Sequence, residues 1–321
     1  MITQRRLQHL LALVEHAHFG RAAQALNISQ PALTKSIQAL EAELGATLLD
    51  RKRGAIALTV FGELVLQRGR SLLSAEADLR REVALLAGHE IGSLKVAISP
   101  YPSVVSGYPA IKRLLAQHPK VNVMAHVASW REVVRQVTAR DVDLGIAELS
   151  QTLGNEQLIT ELIGQHRGHF FCRPEHPILR RGPVSMNQLV EFPWLSTRLP
   201  LRVASHLPRS IGAAGTIEPL TGDFVPAIEL DMLMQIGDFL EHSDALALAS
   251  LTIMERALLA GDVTVVPTPD LNIHSNYGFI HLNNRSLTPV ALAFMQEVRT
   301  EEAEKVKREA ILASTYAAFD P

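Results

Sequence analysis

One stretch limits the possible folds more than any other. Residues 20–45 read GRAAQALNISQPALTKSIQALEAELG. Ala22, Ala23 and Leu26 return at helical spacing, so a short helix is expected over 20–26. Asn27, a residue that tolerates the left-handed conformation, ends it. Ser29 stands where a helix N-cap belongs, and Pro31 falls in the first turn, where its missing N–H costs nothing. This next helix runs to Leu44 and stops at Gly45. Its inward stripe is Leu33, Ile37, Leu40 and Leu44, in steps of four, three and four. Gln30, Thr34 and Lys35 are left outside near its start. An earlier helix offers Leu7, Leu10, Leu11 and Val14 as an apolar face, with Thr3 as its N-cap.

ATLLDRKRGAIALTVFG follows. Two short β-prone runs flank the basic turn DRKRG, which reads as a two-stranded wing. Residues 60–88 read as one long helix. Val65, Leu72, Leu79 and Leu86 recur every seven residues, with Ala75 on the same seam. That is a coiled-coil pattern for dimerisation. A helix packed on the core of its own domain is the alternative. GHEIGS at 88–93 is a hinge. Charge divides along the same line: residues 1–58 hold seven Lys/Arg against four Asp/Glu, residues 91–321 hold 20 against 24. A basic module on an otherwise acidic chain suits the binding of phosphates.

From residue 94 the texture changes. LKVAIS, VNVMAHV and DLGIAEL are strand-like, with helical stretches at 104–116 and 130–139 between them. Strand and helix in alternation imply a largely parallel sheet. A second series begins near 168 with GHFFCR and includes PWLST, GDFVPAIEL, ALALAS and DVTVVP. YGFIHL and a helix over 288–308 return to the first series. Two α/β lobes joined by two crossings make a cleft for a small ligand.

Other chemistry finds little support. The single Cys172 rules out an internal disulfide framework and lies in an apolar run. His16-x-His18 on a helix would face apart, and neither this pair nor His166-x-x-His169 has a third ligand near in sequence, so no metal is expected. Asp141-x-Asp143 suits capping better than catalysis. Gly-x-Ser-x-Gly, phosphate-loop and dinucleotide glycine patterns are absent, and no catalytic residue or cofactor is expected. LLALV near the start is cut short by Glu15 and His16, too short for a signal-peptide core or a membrane span, so a cytoplasmic protein without a membrane partner is expected.

Over nearly its whole length the chain resembles the LysR-type transcriptional regulators. The specific part is FGRAAQALNISQPALTKSIQALEAELGATLLDRKRGAIALTVFG, 19–62, which is similar to that family's winged helix-turn-helix almost position by position. LKVAISPYPS, RDVDLGIAEL and RSLTPVALAFMQEVR carry a weaker likeness in the C-terminal part. The resemblance implies an α/β chain with a winged helix-turn-helix at 1–59, a linker and dimerisation helix at 60–89, and a periplasmic-binding-protein-like effector domain at 90–312. Lobe I would take about 93–164 and 270–312, lobe II about 165–269. It further implies a homodimer or homotetramer on double-stranded promoter DNA, a small-molecule effector, and RNA polymerase as a candidate partner.

On that reading the face of Gln30, Pro31, Thr34 and Lys35 enters the major groove. Gln pairs with adenine, Lys with guanine, and Thr or Pro touches a thymine methyl. Ser29, Thr34, Ser36 and Arg21 are candidates for phosphate, and Arg51, Lys52 and Arg53 of the wing for phosphate or the minor groove. Lys35 stands where similar proteins often have arginine. The effector cleft would use Ser99, Pro100 and Tyr101, whose loop opens a helix with free N–H groups suited to an anion. Ser129 and Trp130, then Ser196 and Thr197, would follow. Arg198 or Arg202 would pair with charge, and Phe224 and Trp194 would line the pocket or else belong to a core. Tyr101, Trp130, Trp194 and Phe224 stand out in a chain with only 5% aromatics and suggest a pocket for a small, partly apolar organic acid. A transport binding protein would need an export signal and no DNA-binding head. A cytoplasmic small-molecule-binding protein or an enzyme on the two-lobed fold is the other alternative, and an enzyme would need a convergent acid, base or nucleophile set.

Overall fold

The computed structural model describes residues 2–50, 56–86, 92–231, 233–269 and 273–316. The chain divides into two compact units, Met1–Ile91 with Ala139–Asp141 and Gly92–Thr138 with Val142–Pro321.

The first unit opens with α1 (Gln4–His16), α2 (Phe19–Ala25) and α3 (Gln30–Leu44). Thr3 occupies the N-cap position of α1 without a side-chain cap bond. His18 caps α2: its Nδ1 accepts from the N–H groups of Gly20 at 3.0 Å and Arg21 at 3.4 Å. Asn27 turns the chain at φ 53°. Ser29 Oγ accepts from Ala32 N–H at 3.4 Å, Pro31 lies in the first turn, and Gly45 closes α3 at φ 65°. Leu7, Leu10 and Leu13 of α1 pack with Ala22, Ala23, Leu33, Ile37 and Leu40. Leu13 fills the inward place that the spacing gave to Leu11. Burying each of Leu33, Ile37 and Leu40 is worth about 1.5–3 kcal/mol.

β1 (Leu49–Asp50) and β2 (Ala57–Leu58) pair antiparallel as the wing's base. Glu41 Oε1 on α3 accepts from the N–H groups of Leu48 at 2.8 Å and Leu49 at 3.3 Å, tying the wing to that helix. Then α4 (Val60–Leu86) begins. A Cβ on Gly62 would stand 2.1 Å from the Leu48 carbonyl oxygen, so only glycine lets α4 start this close to the wing. Val65 and Leu73 pack on the head's core. Val65 is therefore withdrawn from the seam read in the sequence. Phe61, Leu64, Leu72, Leu79 and Val83 remain exposed on α4. The side chain of Leu86 lies outside the described residues.

The second unit holds two mixed sheets. In the first, β3 (Ser93–Ile98) lies parallel to β4 (Asn122–Val127) and β5 (Leu144–Glu148). The connections are α5 (Pro100–Pro102), a π-helical turn Ser103–Gly107, α6 (Tyr108–Gln117) and α7 (Trp130–Thr138). A ten-residue strand that the sequence reading passed over, β6 (Leu158–Arg167), leads across Gly168 to β7 (His169–Cys172) in the second sheet. That sheet adds β8 (Trp194–Ser196), β11 (Ile228–Glu229), β12 (Leu246–Ala249) and β13 (Thr264–Val265), in the order β11-β8-β12-β7-β13. Around it lie α8 (Met186–Leu189), α9 (Leu201–Ala204), the hairpin β9 (Gly215–Ile217) with β10 (Phe224–Pro226), and α10 (Leu251–Ala260). The chain returns to the first sheet as β14 (His274–Leu282), giving the order β4-β3-β5-β14-β6. In each sheet one strand, β14 in the first and β7 in the second, runs antiparallel to both its neighbours, so neither is as fully parallel as the alternation suggested.

α11 (Pro289–Tyr316) runs further than the sequence indicated. Ala291, Phe294, Met295 and Val298 belong to the first sheet's core, and Leu312 to a core of the second, where Ala313 and Tyr316 also pack. This helix thus braces both lobes.

Candidate functional site

In the head, the buried stripe of α3 turns its opposite face outward. Gln30, Pro31 and Lys35 are exposed and Thr34 is half-buried, with its hydroxyl donating to the Gln30 carbonyl at 3.0 Å. Ser29 is exposed at the cap, and Arg21 is exposed on α2, within the first turn capped by His18. Ser36 departs from this group. It is half-buried and 2.7 Å from His9 Nδ1, which ties α3 to α1. Burial, helped by Arg5, lowers the His9 pKa. Arg51, Lys52 and Arg53 lie outside the described residues.

In the second unit a cavity of about 390 Å³ opens between the two sheets. Ser99, Pro100 and Tyr101 line it where β3 runs into α5. Ser129 and Trp130 line it at the start of α7, where Ser129 Oγ accepts from Glu132 N–H at 3.4 Å. Thr197 and Arg198 follow β8 on the opposite wall, with Leu199, Pro200 and Arg202 beyond. Ile273, Ser275 and Tyr277 close it from the returning strand.

Ser196 and Phe224 do not line the cavity. Ser196 is buried one residue too early on β8, and its hydroxyl donates to the Thr197 carbonyl at 2.8 Å. The Phe224 ring packs on Trp194 at 5.2 Å inside the second sheet's core, and Trp194 Nε1 donates to the Leu189 carbonyl at 2.9 Å. Both aromatics are core. The anion site expected at the helix start is also changed. Pro100 and Pro102 carry no N–H, so of the first three helical residues only Tyr101 has one to offer.

The cavity's charge comes from side chains. Arg131 Nη2 donates to Asp223 Oδ2 at 2.7 Å, and its Nη1 to Gln151 Oε1 at 3.0 Å. Arg198 donates twice to Glu229, Nε to Oε1 at 3.2 Å and Nη2 to Oε2 at 3.4 Å. Arg202 grips Glu148 with two bonds, Nε to Oε1 at 3.1 Å and Nη2 to Oε2 at 2.7 Å. The pairs of Arg131 and Arg202 join one lobe to the other.

Sequence reasoning missed a buried polar cluster at the cavity's inner end. Tyr277 Oη donates to Glu302 Oε1 at 2.6 Å, and His166 Nε2 stands 2.9 Å from Glu302 Oε2. The Tyr101, His166 and Tyr277 rings lie 5.9–6.0 Å apart. Burial and the neighbouring Glu302 carboxylate push the Tyr277 phenol well up, and burial likewise raises Tyr101, so both act as neutral hydroxyls. The signal available in the sequence was two adjacent glutamates, Glu301 and Glu302, on an otherwise apolar helix face.

The remaining titratable motifs are structural. Cys172 is fully buried and its thiol is pushed up to about 12 by burial, which removes it as a nucleophile. Asp143 accepts from Lys95 N–H at 2.8 Å and Arg285 Nη2 at 2.6 Å. Among the described residues no group of three or more His, Cys, Asp or Glu side chains could hold a metal, and no helix is long and apolar enough to cross a membrane.

A winged helix-turn-helix in a chain that also carries a two-lobed, cavity-bearing unit defines a ligand-responsive DNA-binding regulator. Comparison with known proteins agrees. Residues 4–63 match the bacterial regulatory helix-turn-helix of the lysR family, and residues 87–303 the LysR substrate binding domain. The SDS degradation transcriptional activation protein of Pseudomonas sp. (strain ATCC 19151) is 34% identical over 303 residues, covering 93% of this chain and 96% of that protein. The transcriptional regulator GbpR of Azospirillum brasilense is 28% identical, covering 95% and 88%. The crystal structure of ArgP from Mycobacterium tuberculosis shares the fold with a TM-score of 0.63 at 15% identity, covering 94% of this chain and 98% of that one. The chain belongs to the LysR family of transcription regulators.

Proposed function

We propose that this regulator answers a small, partly apolar organic acid held between its two lobes. The observation that carries the reading is the cavity itself. At about 390 Å³ it falls in the range of small-molecule sites, and it sets Pro100, Tyr101, Trp130, Leu199 and Ile273 against Arg131, Arg198 and Arg202. The Pseudomonas relative is named for SDS degradation, and SDS joins an alkyl chain to an anionic head. An acid with an apolar body is the matching chemistry here. A thermal-shift screen of the full chain tests it, with benzoate, hexanoate and octanoate against the corresponding amides and neutral sugars. One or more acids should raise Tm by several degrees while the amides do not. Tight binding of a neutral sugar, with no acid binding, overturns it.

On the DNA side, Gln30, Thr34 and Lys35 read bases from the major groove, and Arg21 and Ser29 hold phosphates. Arg51 and Arg53 of the wing add phosphate or minor-groove contacts. The exposed apolar face of α4, with Leu72 and Leu79, pairs two chains, so two heads meet a pseudo-palindromic site in successive major grooves. Effector binding re-spaces the heads through its unequal affinity for two lobe arrangements. The protein works in the cytoplasm as a dimer or tetramer, with RNA polymerase as a further partner.

A further inference from the structure

The cavity's arginines are not equivalent. Arg198 and its partner Glu229 both belong to the second lobe, and about a third of each side chain is open to solvent. Arg131 pairs with Asp223, which is buried, does not line the cavity, and also accepts the Leu201 N–H at 3.1 Å to hold the start of α9. Arg202 differs from both. Its partner, Glu148, comes from the other lobe as Asp223 does, but unlike Asp223 it lines the cavity, so both members of this directly bonded pair border it. The contact is a two-pronged guanidinium–carboxylate pair, as is the longer Arg198–Glu229 pair, and this is the geometry in which arginine binds a ligand's carboxylate. Glu148 has a second holding on its own lobe: Oε1 also accepts from Ser150 N–H at 3.2 Å and Ser150 Oγ at 2.5 Å.

We propose that Arg202 is the effector's anion-binding residue and that Glu148 is a built-in substitute for the effector's carboxylate. The two prolines of α5 leave the helix start a poor anion site, so the positive charge must come from a side chain. An incoming acid takes the guanidinium and Glu148 is left with the Ser150 bonds it already holds, so one carboxylate replaces another and the cavity's charge gains only the ligand's own. The exchange yields little by itself; burial of the acid's apolar body decides whether it proceeds. A small acid without such a body therefore fails to displace Glu148, and the same exchange releases one of the ties between the lobes. The inference rests on the organic-acid reading above.

Chemical rescue tests it. The full chain is melted as wild type, Glu148→Ala, Arg202→Ala and the double variant, in sodium acetate and in sodium chloride of equal ionic strength. Glu148→Ala empties the carboxylate's place, and acetate should fill it, raising Tm by about 3 °C or more at ten times its Kd. Wild type, Arg202→Ala and the double variant should show no acetate-specific rise. Glu148→Gln, of nearly equal size, serves if the alanine variant does not fold; its benzoate affinity should rise at least about tenfold over wild type. An equal response in wild type and Glu148→Ala, or one that survives removal of Arg202, overturns the proposal. So does an unchanged benzoate affinity in Glu148→Gln. Failure of the organic-acid reading appears elsewhere, as a wild-type screen with no acid among its hits.

Discussion

Removing Gln30 and Lys35 together separates reading DNA from holding the head together. Both side chains are exposed on the outer face of α3, while Leu33, Ile37 and Leu40 beneath them are fully buried or nearly so. Gln30→Ala with Lys35→Ala should leave the melting temperature within the equivalent of about 0.5 kcal/mol, since exposed helix positions tolerate alanine. If each side chain holds a base, the pair is worth about 2–6 kcal/mol per head, at least about 30-fold in the ratio of specific to non-specific affinity. Fluorescence anisotropy on the gene's own upstream DNA and on a scrambled duplex, at one fixed salt concentration, reads that ratio. Size-exclusion chromatography should show an unchanged oligomer. Leu33→Ala is the control in the other direction: loss of about 2–5 kcal/mol of stability takes specific and non-specific binding down together. An unchanged specificity ratio in the double variant would show that this face does not read bases.

Other perturbations follow from the packing. Leu72→Asp with Leu79→Asp changes residues 60% and 62% exposed, so the folded chain should persist while sedimentation shows the dimer lost; an intact dimer would place the interface elsewhere. Gly62→Ala should lower stability by about 1–3 kcal/mol, because its Cβ meets the Leu48 carbonyl oxygen; a Tm rise from helix propensity would contradict that. His176 is buried and accepts the Ile178 N–H at Nδ1, and burial lowers its pKa below the ordinary 6.5. The unfolded chain therefore binds the proton more readily, and this group's stabilisation, complete above pH 6.5, is lost as pH falls below it. Tm measured from pH 7.5 down to 5 should fall less steeply in His176→Gln than in wild type.

The head was legible because its signals are local. Cap, first-turn proline, left-handed asparagine and terminal glycine each act within a few residues, so Ser29, Pro31, Asn27 and Gly45 could be read singly. His18 was missed because histidine is an uncommon cap, and a His-x-His pair draws attention to metals first. The last turns of α11, beyond the 288–308 read in the sequence, were hidden for another reason. There Glu309 stands where an apolar residue would be expected, and it is satisfied by distant partners, the N–H groups of Leu251 and Thr252. Such compensation leaves no trace in spacing. The cavity suffered likewise. Phe224 and Trp194 were as reasonable on its wall as Tyr101 and Trp130, and only the packing of β8 and β10 turned them inward. The pairing of Arg202 with Glu148 joins residues 54 apart across two lobes.

The central claim is that binding in the cavity changes how the heads hold DNA. Footprinting of the full chain on its upstream region, with and without the acid found by thermal shift, tests it most directly. The acid should alter the length of the protected region or the spacing of hypersensitive sites, and should do so in wild type but not in Arg202→Ala. Protection of identical extent and affinity with and without a bound acid would contradict it.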